Sequence, residues 1–555
     1  MKNLLKLIVV VFISATTFAQ NARVQVIHNS ADPIASEVDV YIDANLALDN
    51  FAFRTATPFI DLPSGVEIVL SIAPGNSSSV GDSLLSVPVT LAEDETYIVT
   101  ANGLVGSSDR PLQLNVFPLG REEAATSTNV DVLVHHGSTD APTVDVVETG
   151  AGAGTIVDDI AYSEYQGYLE LPVANYAIEI RDETGTVTVA AYELPLEALG
   201  LDGQAVVAVA SGFLDASQGE AFGVWAALPT GGSLVELPIS TARVQVIHNS
   251  ADAAASEVDI YIGGGLALDN FAFRTATPFI DLASNVEVEI AVAPANSAGV
   301  EDAIATFPVT LMRQESYIVV ADGIVSPTGY NPPTAFGLSV YPMGREAATS
   351  NTNTDVLVHH GSTDAPTVDV VETGVGAGTI VDNLSYGTFQ GYLELPTADY
   401  TLEIRDKTGT VTVASYEAPL ATLALEGVAL TVVASGFLDP SQNSGGPAFG
   451  LWVALPAGGS LIELPPSVLG VEDFDINSFV MYPNPATNQL NISLDLNESS
   501  MYNLSVVDMM GRTIFQKEIG ATINTIDVSQ MATGIYNVSL QTGSKVIATK
   551  KFIKM

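Results

Sequence analysis

Six histidines serve a chain of 555 residues, and all of them lie in copies of one short motif. They are His28, His135, His136, His248, His359 and His360. In each copy a serine follows the aligned histidine by two positions and an aspartate by four, as in His28-Asn29-Ser30-Ala31-Asp32 and His136-Gly137-Ser138-Thr139-Asp140. An imidazole and a carboxylate at that spacing are metal-ligand types. The candidate pairs are His28 with Asp32, His136 with Asp140, His248 with Asp252, and His360 with Asp364. A zinc-type site takes three or four protein ligands, and one pair per copy falls short. Neighbouring strand residues point to opposite faces, so His135 and His136 do not grip one ion. The preferred reading is therefore structural: the Asp or Ser side chain fixes the turn that ends a strand, and the His braces it. Nor do these residues suggest a hydrolase. Ser30 and Ser138 lack the G-x-S-x-G elbow that exposes a nucleophile, and no P-loop, dinucleotide or calcium-loop motif is present. No catalytic residue, no cofactor and no enzymatic activity are expected.

Phe51-Ala52-Phe53-Arg54-Thr55 and its identical copy Phe271-Ala272-Phe273-Arg274-Thr275 place an arginine among aromatics. An acidic glycan could dock there, but an arginine paired with a carboxylate between packed rings is the commoner arrangement. Trp225 and Trp452, at equivalent places, are read as core. Cysteine is absent, which removes disulfides, thiolate metal sites and thiol nucleophiles.

Sixty-four acidic residues against 19 basic ones give a formal charge of -45. Such a surface repels nucleic acid and anionic lipid headgroups. Its plain role is solubility outside the cell. A sharper one is to collect divalent cations, with calcium the candidate.

The elements that carry these residues are repeated. Residues 22–62 return almost unchanged as 242–282, and the segment from Asp131 to Gly150 returns letter for letter from Asp355 to Gly374. Each duplicated unit holds two weaker copies, Val26-Ile27-His28-Asn29-Ser30-Ala31-Asp32 aligning with Val134-His135-His136-Gly137-Ser138-Thr139-Asp140. The order is A-B-A-B, and a long chain of this kind needs several cores. The apolar period is two, as in Val286-Glu287-Val288-Glu289-Ile290, which puts carboxylates on solvent faces. Turn residues about every ten positions predict about seven strands per repeat. The expected fold is all-β: four tandem antiparallel immunoglobulin-like sandwiches followed by a small C-terminal sandwich. The boundaries expected are 20–124 and 241–348 for repeats A1 and A2, and 125–240 and 349–466 for B1 and B2. A linker follows over 467–474.

His136-Gly137-Ser138-Thr139-Asp140-Ala141-Pro142-Thr143-Val144-Asp145-Val146 resembles the bacterial family labelled domain of unknown function 4397. The A copies depart from its pattern by an insertion after Asp32 and Asp252. The resemblance covers residues 22 to about 465. It implies a β-sandwich in exported or cell-wall proteins and supplies no activity.

The two ends read as addresses. Lys2 and Lys6, the apolar run Leu7 to Ile13 and the exit Thr17-Phe18-Ala19 form a secretory signal peptide over residues 1–19, with cleavage between Ala19 and Gln20. No stretch is long and apolar enough for a membrane helix. At the other end come Tyr482-Pro483-Asn484-Pro485, then Asp508 and Gly511, then Gly534 and Tyr536, and a closing run around Lys551. This series resembles the type A C-terminal sorting domain of type IX secretion in Bacteroidota, over about residues 475–555. The resemblance implies the type IX machinery as a partner, and release or attachment to surface lipopolysaccharide afterwards. The chain is thus expected to be an extracellular or outer-membrane-surface repeat array that spaces or adheres. The alternative is an array that binds carbohydrate or divalent metal for nutrient capture.

Overall fold

A computed structural model describes residues 21–467, 479–494, 502–508, 512–519, 524–542 and 545–555. The cleavage residues Ala19 and Gln20, Gly511 and nearly all of the linker lie outside these.

The described chain is all-β, interrupted only by one-turn 3-10 helices. Repeat A1 runs through β1 (Asn21–His28), β2 (Glu37–Ile42), β3 (Asn45–Ala52), β4 (Thr55–Ala56), β5 (Ile60–Pro63), β6 (Glu67–Pro74), β7 (Leu85–Thr90), β8 (Thr96–Asn102) and β9 (Gln113–Pro118). Two sheets result. In the outer one the order is β3-β2-β6-β7; in the inner one β4 and β5 share one edge of β1, and β8 and then β9 follow on the other. β1 and β8 run parallel, Val24 opposite Tyr97 and His28 opposite Ala101. The other pairings in the repeat are antiparallel, so the sandwich expected from the period-two pattern gains one parallel seam.

Repeat B1 repeats this plan with β10 (Asn129–His136), β11 (Val144–Glu148), β12 (Gly154–Ile160), β13 (Tyr165–Pro172), β14 (Asn175–Asp182), β15 (Thr188–Pro195), β16 (Ala205–Ser211) and β17 (Gly223–Ala227). Its outer sheet is β12-β11-β14-β15 and its inner sheet β13-β10-β16-β17, with β10 parallel to β16. Two short strands follow, β18 (Gly232–Ser233) and β19 (Val235–Glu236). β19 extends the B1 inner sheet, whereas β18 crosses over and pairs with β4 of A1.

That crossover reflects how the two repeats meet. The inner sheets of A1 and B1 lie face to face and share a core of Ile27, Ile98, Leu133, Val207, Val209 and Ala227, all nearly inaccessible to solvent. A unit is therefore four sheets deep, with β1 and β10 buried on both faces. The polar side chains that these strands turn toward the partner repeat, Gln25 in β1 and His135 in β10, are buried and hydrogen-bonded there. Residues 241–464 rebuild the same arrangement, Leu357 and Val433 packing on Ile247 and Ile318.

The two units touch through polar contacts. Arg313 forks onto Glu193 with 2.6 and 2.7 Å hydrogen bonds, Asn285 reaches Glu179 (3.1 Å), and the Ser284 amide donates to Ser240 (2.9 Å). The last residues have a core of their own, built from Phe479, Leu490, Leu504, Val538 and Phe552 among others.

Candidate functional site

The motif occupies the end of the first strand in each repeat, where successive side chains part company. Val26 and His28 face the interior of their own sandwich, while Gln25, Ile27 and Asn29 face the partner repeat. In B1, His136 is inward like His28, and His135 faces A1. The doubled histidine thus serves two different cores.

The inward rings are structural braces. His28 Nε2–H donates to the Ala35 carbonyl at 2.7 Å and His248 Nε2–H to Ala255 at 2.7 Å. The same bond in the B repeats runs from His136 to Pro142 (2.9 Å) and from His360 to Pro366 (3.1 Å). Burial pushes all four imidazoles below the usual histidine range, His28 and His248 to about 4.

The paired aspartates look elsewhere. Asp32 accepts the Ile34 amide (2.8 Å), capping a 3-10 turn, and the Val105 amide (2.6 Å). Asp140 takes the amides of Leu214 and Asp215, both at 2.9 Å, and Asp364 those of Leu438 and Asp439 at 2.8 Å. Asp252 collects the amides of Ala254, Val325 and Ser326 and the hydroxyls of Ser326 and Tyr330. The serines donate to the carbonyl of the residue just after the parallel strand, Ser30 to Gly103 (2.6 Å) and Ser138 to Gly212 (2.8 Å). Each H-x-S-x-D copy therefore ties the end of the first strand to the loops beside it. The ring and carboxylate do not converge on a common point, and among the described residues no group of three metal-ligand side chains comes together.

What sequence reasoning missed lies at the junction of the repeats. Asn29 donates from Nδ2 to Asn102 Oδ1 at 2.8 Å and reaches the Gly137 and Ala210 carbonyls at 3.3 Å. Asn102 in turn donates to His135 Nε2 (2.7 Å), whose Nδ1–H is held by the Glu164 carbonyl (2.9 Å) while its ring stacks on Tyr165. That leaves His135 neutral, pushed down to about 3 by burial. In the second unit an aspartate replaces Asn102. Asp322 accepts from Asn249 (2.9 Å) and from His359 Nε2 (2.6 Å), both fully enclosed. The signal available was the letter after the histidine. It is Asn in the A copies and Gly in the B copies, and a Cβ at Gly137 would lie 2.1 Å from Asn29 Nδ2. The asparagine of A occupies the notch left by the glycine of B.

Arg54 belongs to this junction. Its guanidinium lies 4.2 Å from the Trp225 ring centroid and 4.8 Å from that of Phe53, and donates to the Ala221 carbonyl (2.7 Å) and Ser211 Oγ (3.1 Å). Arg274 repeats this with Trp452 and Phe273, and burial lowers it to about 10. The arginine is packed between rings as the sequence suggests, with Glu220 a distant partner at 3.9 Å. The two tryptophans face the neighbouring repeat.

In the tail, the Tyr482-Pro483-Asn484-Pro485 turn is bonded to the closing strand. Asn484 Nδ2 donates to the Lys551 carbonyl (2.8 Å) and Asn484 Oδ1 accepts the Ile553 amide (2.9 Å). Asp508 accepts from the Arg512 amide and guanidinium, and Tyr536 donates to Ala532 (2.8 Å). Gly534 opens the strand that pairs with Lys545–Lys554.

Residues 480–555 match the family described as secretion system C-terminal sorting domain. Residues 22–147 and 354–444 match the domain of unknown function DUF4397. No curated protein matches. Among solved structures the chain is similar to the Bacillus anthracis TIE protein (8% identity, 84% of this chain and 72% of that one, TM-score 0.12). It is also similar to PorZ, a surface component of the type IX secretion system of Porphyromonas gingivalis (10% identity, 92% and 71%, TM-score 0.12). A third is surface layer protein SbsC, domains 4–9 (10% identity, 94% and 90%, TM-score 0.11). At these TM-scores the likenesses carry no argument. The sorting domain does: it marks a chain exported by type IX secretion to the cell surface or extracellular space. No helix among the described residues is long and apolar enough to cross a membrane.

Proposed function

We propose, starting from a chain that type IX secretion delivers outside the cell, that the A-B-A-B body is a non-enzymatic spacing and adhesion array. The observation that carries this reading is the shared core between inner sheets, which joins each A repeat to its B repeat as one thick block. A block of that kind transmits force and holds a surface away from the cell, as stacked repeats do. The histidine, serine and aspartate of the repeated motif support the reading, since their hydrogen bonds hold the turns and loops at the strand ends. Division into repeats at 20–124, 125–240, 241–348 and 349–466 belongs to the same reading. So do a signal peptide cleaved after Ala19 and attachment to surface lipopolysaccharide or glycan.

The test is a strain whose chain lacks residues 22–465 but keeps both ends. Loss of cell–cell or cell–surface attachment with unchanged growth on polysaccharide is the expected result. Normal attachment with impaired growth would instead support nutrient capture.

A further inference from the structure

The two units differ most at the motif end of the A–B junction. In the second unit the loop closed by Ile324 and Ala335 is longer than its counterpart closed by Leu104 and Pro111. The facing loop from Phe437 to Ala448 is likewise longer than that from Phe213 to Ala221. The two extensions clasp each other: the Asn331 amide donates to Asn443 Oδ1 (2.9 Å) and Ser444 Oγ to the Gly329 carbonyl (2.8 Å). Between them Tyr330 is pressed into the junction. Its ring packs against the buried cluster of Ala251, Ile324 and Phe437, 5.6 Å from the Phe437 ring, and its hydroxyl donates to Asp252 Oδ1 (2.8 Å) and accepts the Ala253 amide (3.1 Å).

The first unit has part of the wall but not the plug. A cleft of about 500 Å³ opens there over Ala31, Asp32 and Phe53, with Gly219 and Glu220 across from them. Asp32 Oδ1 accepts only the Ile34 amide, and Asp32 is 8% exposed where Asp252 is 1%. Apolar wall, spare carboxylate lone pair and room for one ring are what Tyr330 uses in the second unit.

We infer that the first-unit cleft is a binding site for a tyrosyl side chain carried on a proline-containing peptide loop, the chemistry that the second unit satisfies with its own loop. The phenol would lie against Phe53 and donate to Asp32. Pro33 stands where Ala253 supplies an amide, so the carboxylate is the sole anchor for the hydroxyl. This holds whether the array spaces, adheres or captures.

The probe is a fluorescent peptide with the sequence of residues 325–335, titrated against the full chain. One saturable site is expected, weakened roughly tenfold when the peptide's tyrosine is replaced by phenylalanine, the usual loss for a hydrogen bond to a charged acceptor. Asp32→Asn, which keeps a capping oxygen, should weaken binding similarly, whereas Asp252→Asn should not. Absence of saturation at millimolar peptide, or equal binding of the phenylalanine peptide, would overturn the assignment. The peptide variant reads the hydroxyl without any change to the fold.

Discussion

A histidine ring enclosed by its own sandwich makes stability depend on pH in a definite direction. His28 and His248 are held near 4 and His135 near 3 by burial, while an unfolded chain protonates its histidines near 6.5. As pH falls, the unfolded state takes up these protons first. The contribution is therefore complete above about pH 6.5 and is lost as pH falls toward 4, each ring giving up roughly 3 kcal/mol at most. Denaturant midpoints at pH 7, 5.5 and 4.5 should fall steadily. A flat profile would mean that the rings titrate freely. The aspartates of the same motif support a second expectation. Their oxygens are bonded to backbone amides, so millimolar calcium or a chelator should leave the thermal midpoint unmoved. A large calcium-dependent rise would show that carboxylates gather an ion.

At the scale of elements, the A–B junction depends on an asymmetry of one letter. Asn29 and Asn249 insert where Gly137 and Gly361 have no side chain, and a Cβ on Gly361 would meet Asn249 Nδ2 at 2.0 Å and Asp322 Oδ1 at 2.6 Å. Gly137→Ala should cost about 1–3 kcal/mol, as overpacking in a close-fitted interior does. Asn29→Ala in the same chain should recover part of the loss, giving a coupling well above the few tenths expected of independent sites. Simple additivity in denaturant melts would contradict the notch. Much of the sandwich was legible in the sequence because alternation such as Val286-Glu287-Val288-Glu289-Ile290 declares one wet face. The junction was not, because the partner-facing positions of its strands mix Ile27 and Leu133 with Gln25, Asn29 and His135, and periodicity cannot tell such a mixed face from one open to solvent. The parallel seam between first and eighth strands was likewise hidden, since side-chain alternation is the same for either direction. Of the motif, the structural part was readable from residue type and spacing. The partners of Asn29, Asn102 and Asp322 were not, because they lie tens of residues away and meet only through topology.

For the whole molecule, the body and the tail have separate cores, and this separation allows export to be tested without unfolding the cargo. The tail core consists wholly of residues from Phe479 onward, and the repeat cores consist wholly of residues up to Leu464. Removing residues 475–555 should therefore leave the repeats folded, with an unchanged thermal midpoint, yet strand them in the periplasm. Asn484→Ala should do the same in milder form. It deletes both hydrogen bonds that fasten the Tyr482–Pro485 turn to the closing strand, a loss of about 1–3 kcal/mol in a small domain that can spare little. Protease accessibility on intact cells, read beside periplasmic content, distinguishes the outcomes. Full surface display of the truncated chain would mean that the export signal lies elsewhere. Full display of Asn484→Ala alone would mean that the machinery reads exposed letters of the tail and not its folded form.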